Sequence, residues 1–210
     1  IQCKDDISTM NEILNKNNIV NMDEVINYIN IALINKPIII VGMMGVGKSA
    51  IGRILAKSLN RNFYDIDENI EKKYNMRIYE IFENYGEMKF RDIEHKEIKN
   101  IQNESNAVIA TGGGAFIYER NYNILNKIGL TLWLNTSPLT IIKRLKKNIN
   151  RRPLLKNVNI ETYVNNLLIK RNPLYAKAHL TIVSGKISKT EMKNKILLTI
   201  RKYLMEHKNA

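Results

Sequence analysis

The sequence predicts a three-layer α/β domain on a parallel sheet of about five strands. Short apolar runs such as Ile38–Val41, Ala107–Ala110 and Leu130–Leu134 alternate with stretches whose apolar residues recur at helical spacing. A glycine-rich turn follows the first run and opens directly into one of those helices. The chain has 210 residues, 44% of them hydrophobic and 25% charged, which suits one soluble domain with a full core.

Before the first strand, Met22, Val25, Ile26, Ile29 and Leu33 predict a helix from about Asn21 to Ile34. No residue there suggests chemistry, so residues 1–36 read as a helical extension of unknown role ahead of a domain spanning 37–210. Ile38–Val41 leads into Gly42-Met43-Met44-Gly45-Val46-Gly47-Lys48-Ser49, and Ile51, Ile54, Leu55 and Leu59 continue as one helical face. Strand, glycine turn, Gly-Lys-Ser and helix make the context of a phosphate-binding loop. Glycines let successive N–H groups point inward, and the helix start adds about half a positive charge. The loop residues Gly45, Val46, Gly47, Lys48, Ser49 and Ala50 are therefore expected to bind a nucleoside triphosphate, with Lys48 on the β- and γ-phosphates and Ser49 on Mg²⁺. An ordinary glycine turn that happens to carry a lysine is the bland alternative.

Phe63–Asp67 reads as a second strand, with Asp65 and Asp67 on the same side at its carboxyl end. The competing reading is a helix N-terminus decorated with acids. Ile78, Ile81 and Phe82, then Met88, Ile93, Ile98 and Ile101, mark two helices separated at Gly86, with Phe90-Arg91 in the second. An arginine there can also be a solvated helix face. After the strand Ala107–Ala110 come Thr111-Gly112-Gly113-Gly114, where the backbone is expected to pass very close to something.

Leu130–Leu134 is the fourth strand, and Ser137-Pro138 starts the next helix, since Ser caps and Pro suits a first turn. The basic stretch that follows, with Arg151-Arg152-Pro153, is a candidate mobile lid over 146–157, or else a solvated surface loop. A helix near Ile160–Lys170 is expected to end before Arg171-Asn172-Pro173, and Leu180–Val183 is the last strand. Ser188 with Glu191 forms a capping box for a terminal helix through about Tyr203.

The net charge of +13 could indicate a nucleic-acid partner, but the basic residues are dispersed through a sequence rich in Lys, Asn and Ile, and none is expected. One cysteine, Cys3, excludes an internal disulfide framework and fits a reducing compartment. No apolar run is long enough for a membrane span, and the acids Asp5, Asp6, Glu12, Asp23 and Glu24 argue against a transit peptide, so a cytoplasmic protein is expected. His95, His179 and His207 lack metal-ligand spacing and read as structural or exposed.

Taken in order, the phosphate loop, Asp65-x-Asp67, Phe90-Arg91, Gly112-Gly113-Gly114, Arg152-Pro153-Leu154-Leu155 and Lys170-Arg171-x-Pro173-Leu174-Tyr175 resemble shikimate kinase over about residues 37–185. The resemblance implies an enzyme that phosphorylates the 3-hydroxyl of shikimate with ATP and Mg²⁺, and a monomer is expected. It also implies roles. Asp65 would help Ser49 hold Mg²⁺, and Asp67 would take the proton of the acceptor hydroxyl. Arg91 and Arg171 would clamp the shikimate carboxylate, for which a planar guanidinium fork is suited. Gly113 would offer its N–H to the substrate, Arg152 would reach the γ-phosphoryl group from the lid, and Arg144 would contact the adenine side of ATP. Helices within 68–104 would form the substrate-binding region. Two departures stand out: Ala50 where the family more often has Thr, and Asn75 in place of a usual glycine. A gluconate kinase-like enzyme, a non-catalytic nucleotide-binding regulator and a nucleic-acid-stimulated NTPase are the readings to discriminate against.

Overall fold

The computed structural model describes residues 20–147, 155, 158–185 and 187–207. The expected lid falls mostly outside these residues, and Arg152 with it; Lys146 and Lys147 close a helix, and Leu155 is buried. Five parallel strands form the sheet: β1 (Ile38–Val41), β2 (Asn62–Asp65), β3 (Ala107–Ala110), β4 (Leu130–Thr136) and β5 (Leu180–Ser184), in the spatial order β2-β3-β1-β4-β5. The three-layer reading and the strand count therefore hold. β1 and β3 are buried at every residue, as strands covered by helices on both faces must be.

The first helix, α1 (Met22–Ala32), is capped by the Asn21 side chain, which accepts from the Asp23 N–H at 3.0 Å. α2 (Lys48–Leu59) follows the phosphate loop. Gly47 immediately before it has φ 102°, a conformation that a side chain would strain. α1 and α2 pack with the last helix, α8 (Lys189–Glu206), whose Ser188–Glu191 capping box is formed as expected.

Asp65 overturns the strand reading of the two acids. Its Oδ1 accepts from the N–H groups of Asp67 (3.0 Å) and Glu68 (3.3 Å), so β2 stops and α3 (Ile66–Tyr74) begins at once. Asp67 thus stands in the first turn of a helix rather than beside Asp65 on a strand. α3 ends at Asn75 with φ 49°, the left-handed conformation an asparagine tolerates in place of glycine. α4 (Ile78–Asn100) is broken at Gly86, where φ 75° and ψ 168° lie outside the helical region, so the expected separation falls at the expected residue.

A 3₁₀ turn (Ala115–Ile117) follows the glycine triplet, then α5 (Glu119–Ile128) and α6 (Pro138–Lys147). α7 (Ile160–Tyr175) runs through Pro173 instead of ending before it. Proline removes one N–H from the ladder, but Tyr175 at the helix end is fully buried and holds the last turn in place.

The order of the strands locates the site. The chain leaves β1 towards β2 on one side, while β4 lies on the other, so the crevice above β1 is the switch point of the sheet. Ile40 pairs with Ala110, and the Thr111 N–H continues the ladder to the Ile40 carbonyl at 3.2 Å. The phosphate loop and the glycine triplet consequently leave neighbouring strands at the same level.

Candidate active site

The glycine triplet is where the predicted residues meet. A methyl group on Gly112 would lie 2.7 Å from both Asp67 Oδ1 and Glu94 Oε1. On Gly113 it would lie 3.0 Å from the Met44 nitrogen of the phosphate loop. On Gly114 it would lie 2.5 Å from Arg91 Nη1. A side chain at Gly112 or Gly114 would displace Asp67, Glu94 or Arg91, and one at Gly113 would press on the phosphate-loop backbone, which is the close approach the sequence implied.

Arg91 is held from several directions. The residues after Gly86 put Glu87, Arg91 and Glu94 on one helical face, at spacings of four and three. Arg91 Nη1 donates to Glu94 Oε2 at 2.9 Å, and Nη2 to Glu87 Oε1 at 3.1 Å. Its guanidinium carbon lies 5.0 Å from the Phe90 ring centroid and 5.1 Å from that of Tyr118. Burial works against its charge, but Glu94 and Glu87 outweigh burial and keep it protonated.

Glu94 was not singled out from the sequence, where one acid in a charged helix looks solvated. It is wholly buried, and its Oε1, facing Gly112 beside Asp67, has no hydrogen-bond partner among the described residues. Burial raises its pKa above the usual carboxylate value, against the pull of Arg91. Its position three residues after Arg91 was the available signal.

On the other side of the triplet, Arg171 Nη1 donates to the Gly113 carbonyl at 3.2 Å, and the Tyr175 hydroxyl donates to the same oxygen. Asp67, Arg91, Gly113 and Arg171, predicted from four separated stretches, therefore meet along one glycine triplet.

The phosphate loop sits against it. Lys48, buried at the start of α2, donates from Nζ to the carbonyls of Gly42 (2.8 Å) and Met43 (3.0 Å). Ser49 is half-buried in the first turn and Ala50 is exposed. Arg144, on α6, donates from Nη1 to the carbonyls of Gly45 (3.1 Å) and Val46 (2.7 Å), so it grips the loop itself. Asp65 pairs in register with Ala110 at the carboxyl end of β2 and is buried, with Oδ1 occupied as the cap of α3.

The family model for shikimate kinase matches residues 44–201. The shikimate kinase of Bartonella henselae is 39% identical over 178 residues, covering 85% of this chain and 84% of that protein. That of Thermodesulfovibrio yellowstonii is 43% identical over 162 residues, covering 77% and 93%. Among solved structures, the shikimate kinase from Acinetobacter baumannii in complex with shikimate matches with a TM-score of 0.77 at 33% identity, over 87% of this chain and 99% of that one. The match starts inside the phosphate loop and runs past the last strand, so it takes in both halves of the site. The chain belongs to the shikimate kinase family, a family of ATP-dependent kinases.

Proposed function

We propose that the chain transfers the γ-phosphoryl group of ATP to the 3-hydroxyl of shikimate, giving shikimate 3-phosphate and ADP on the route to chorismate. The observation that carries this is the meeting of two carboxylates and two arginines along a glycine backbone, directly against the phosphate loop. Arg91 and Arg171 take the acceptor's carboxylate, Asp67 accepts the proton of the attacking hydroxyl, and the Gly113 N–H fixes the ring. Lys48 turns from its loop carbonyls to the phosphates. Arg152, from the lid, meets the charge on the γ-phosphoryl group, and Arg144 keeps the loop shaped beneath the nucleotide. We take the working unit to be the monomer, acting in the cytoplasm.

Catalysis by such a site is positioning and charge neutralisation of an in-line transfer, because phosphoryl transfer needs little covalent help from the protein. The donor set suits Mg²⁺. Ser49 and Asp65 offer hard oxygens, and a carboxylate already half-used as a helix cap fits a cation bound mainly through phosphate and water. Bound there, Mg²⁺ would neutralise charge on the β- and γ-phosphates.

The decisive measurement is ADP release from ATP and Mg²⁺ with and without shikimate, alongside assay for shikimate 3-phosphate. We expect release to depend on shikimate with matching product. Folded, ATP-binding protein without that dependence would overturn the proposal, whether it acted on gluconate or on nothing.

A further inference from the structure

Tyr175 closes the Lys170–Tyr175 motif, and no catalytic step above employs it. It is fully buried, its ring lies 6.0 Å from that of Trp133, and its hydroxyl donates to the Gly113 carbonyl. That carbonyl has two lone pairs, and Arg171 takes the second at 3.2 Å. Arg171 therefore has two competing partners in a working cycle: the glycine backbone and the acceptor's carboxylate.

We propose that Tyr175 is a positioning residue, whose hydroxyl keeps the Gly113 carbonyl satisfied and in place when the Arg171 guanidinium turns to the substrate carboxylate. The inference rests on the assignment of Arg171 to that carboxylate. Without a second donor, freeing Arg171 would leave a half-buried carbonyl unpaired, which would count against binding. Tyr175 removes that penalty from the binding step. The Gly113–Gly114 peptide is planar and trans, so anchoring the carbonyl also fixes the direction of the Gly114 N–H on the opposite edge. Burial, opposed by Arg171, pushes the Tyr175 pKa up to about 12, so the hydroxyl remains a donor throughout the working pH range.

The test is Tyr175→Phe, which keeps the ring against Trp133 and removes only the hydroxyl, with its donation to Gly113 and its contact with Arg171. We expect shikimate affinity, read by calorimetry, to fall about tenfold, roughly the 1.4 kcal/mol of one such penalty. Affinity for a non-hydrolysable ATP analogue should stay within twofold. A purely structural role would weaken both ligands together, and that outcome, or unchanged shikimate affinity, overturns the inference. Arg171→Lys with and without Tyr175→Phe supplies a second reading. The tyrosine change should matter less once the guanidinium that competes for the carbonyl is gone; full additivity overturns the idea. Both pairs are measured at a temperature where circular dichroism finds each variant folded. Wild-type protein that neither binds nor phosphorylates shikimate would instead overturn the assigned function and, with it, this role for Tyr175.

Discussion

Asp67 and Glu94 face the same glycine, yet their surroundings give them different work. Asp67 is half-buried at the start of a helix, while Glu94 is sealed in and tied to Arg91. With Asp67 as the base for the acceptor hydroxyl, Asp67→Asn should lower turnover by about 10²–10⁴-fold, the range general-base catalysis supplies. ATP affinity should stay within twofold; turnover near wild type would remove Asp67 from the chemistry. Glu94→Gln keeps the shape but takes away the charge that fixes the Arg91 fork. We expect the KM for shikimate to rise about tenfold, with the melting temperature almost unchanged. The lost ion pair is offset by relief of a buried carboxylate with one unpaired oxygen. A large drop in melting temperature with unaltered KM would make Glu94 a purely structural residue. Both acids were in plain view in the sequence. Asp67 could be assigned because its motif has a known neighbourhood, whereas burial of Glu94 depends on a long-range contact with Gly112 that no local pattern encodes.

Elements were legible wherever a local signal dominated. Short apolar runs marked every strand among the described residues, Gly86 marked its own break, and Ser188 with Glu191 announced the cap of α8. Errors arose where two local signals competed. Asp65 was alternating-strand and helix-cap at once, and hydrogen bonds to two N–H groups decided for the cap. Pro173 suggested a helix end, and the burial of Tyr175 two residues later overrode it. The start of β5 carries a contact that sequence could not reveal. His179 Nδ1 accepts from the Thr131 N–H at 3.1 Å, and the Thr131 hydroxyl accepts from the His179 N–H at 3.0 Å, tying β4 to β5. Burial, with nearby Lys36, lowers the His179 pKa below the ordinary value. The unfolded chain then binds the proton more readily than the fold does, so this contribution is complete above about pH 6.5 and is lost as pH falls from there towards the lowered value. Protonated Nδ1 could no longer accept from Thr131. We expect the melting temperature to drop between pH 7 and pH 5.5, and His179→Asn, whose side-chain oxygen can accept that bond, to flatten the drop. An identical slope in the variant would exclude His179 as its source.

At the scale of the whole molecule, the described part of the segment that reads as an extension, residues 20–36, packs against the core. Val25, Ile29 and Leu33 of the α1 region are buried in the same cluster as the central strands. The bridge is Arg61, which follows α2 and is buried. Its guanidinium donates to the Leu33 and Lys36 carbonyls at 2.9 Å and to Asn30 Oδ1 at 3.2 Å. Asn30 in turn donates to the Leu59 carbonyl at the end of α2. The sequence read α1 as a helix but not its place, because an amphipathic stripe does not name the surface it covers. We propose that residues from Met22 onward belong to the folded unit of the kinase domain. These contacts lie at the end of α2 remote from Lys48 and the phosphate loop, so they should set stability without touching chemistry. Ile29→Ala leaves a cavity where α1 enters the core and should cost about 2–5 kcal/mol in urea unfolding. Both KM values should remain within twofold of wild type at 25 °C. Arg61→Met should destabilise as well, because it strips donors from two backbone carbonyls. If both variants unfold at the wild-type midpoint, α1 is an appendage and the domain begins at the first strand. If they unfold early and also lose shikimate affinity, α1 is coupled to the site through α2, and the separation of stability from chemistry fails.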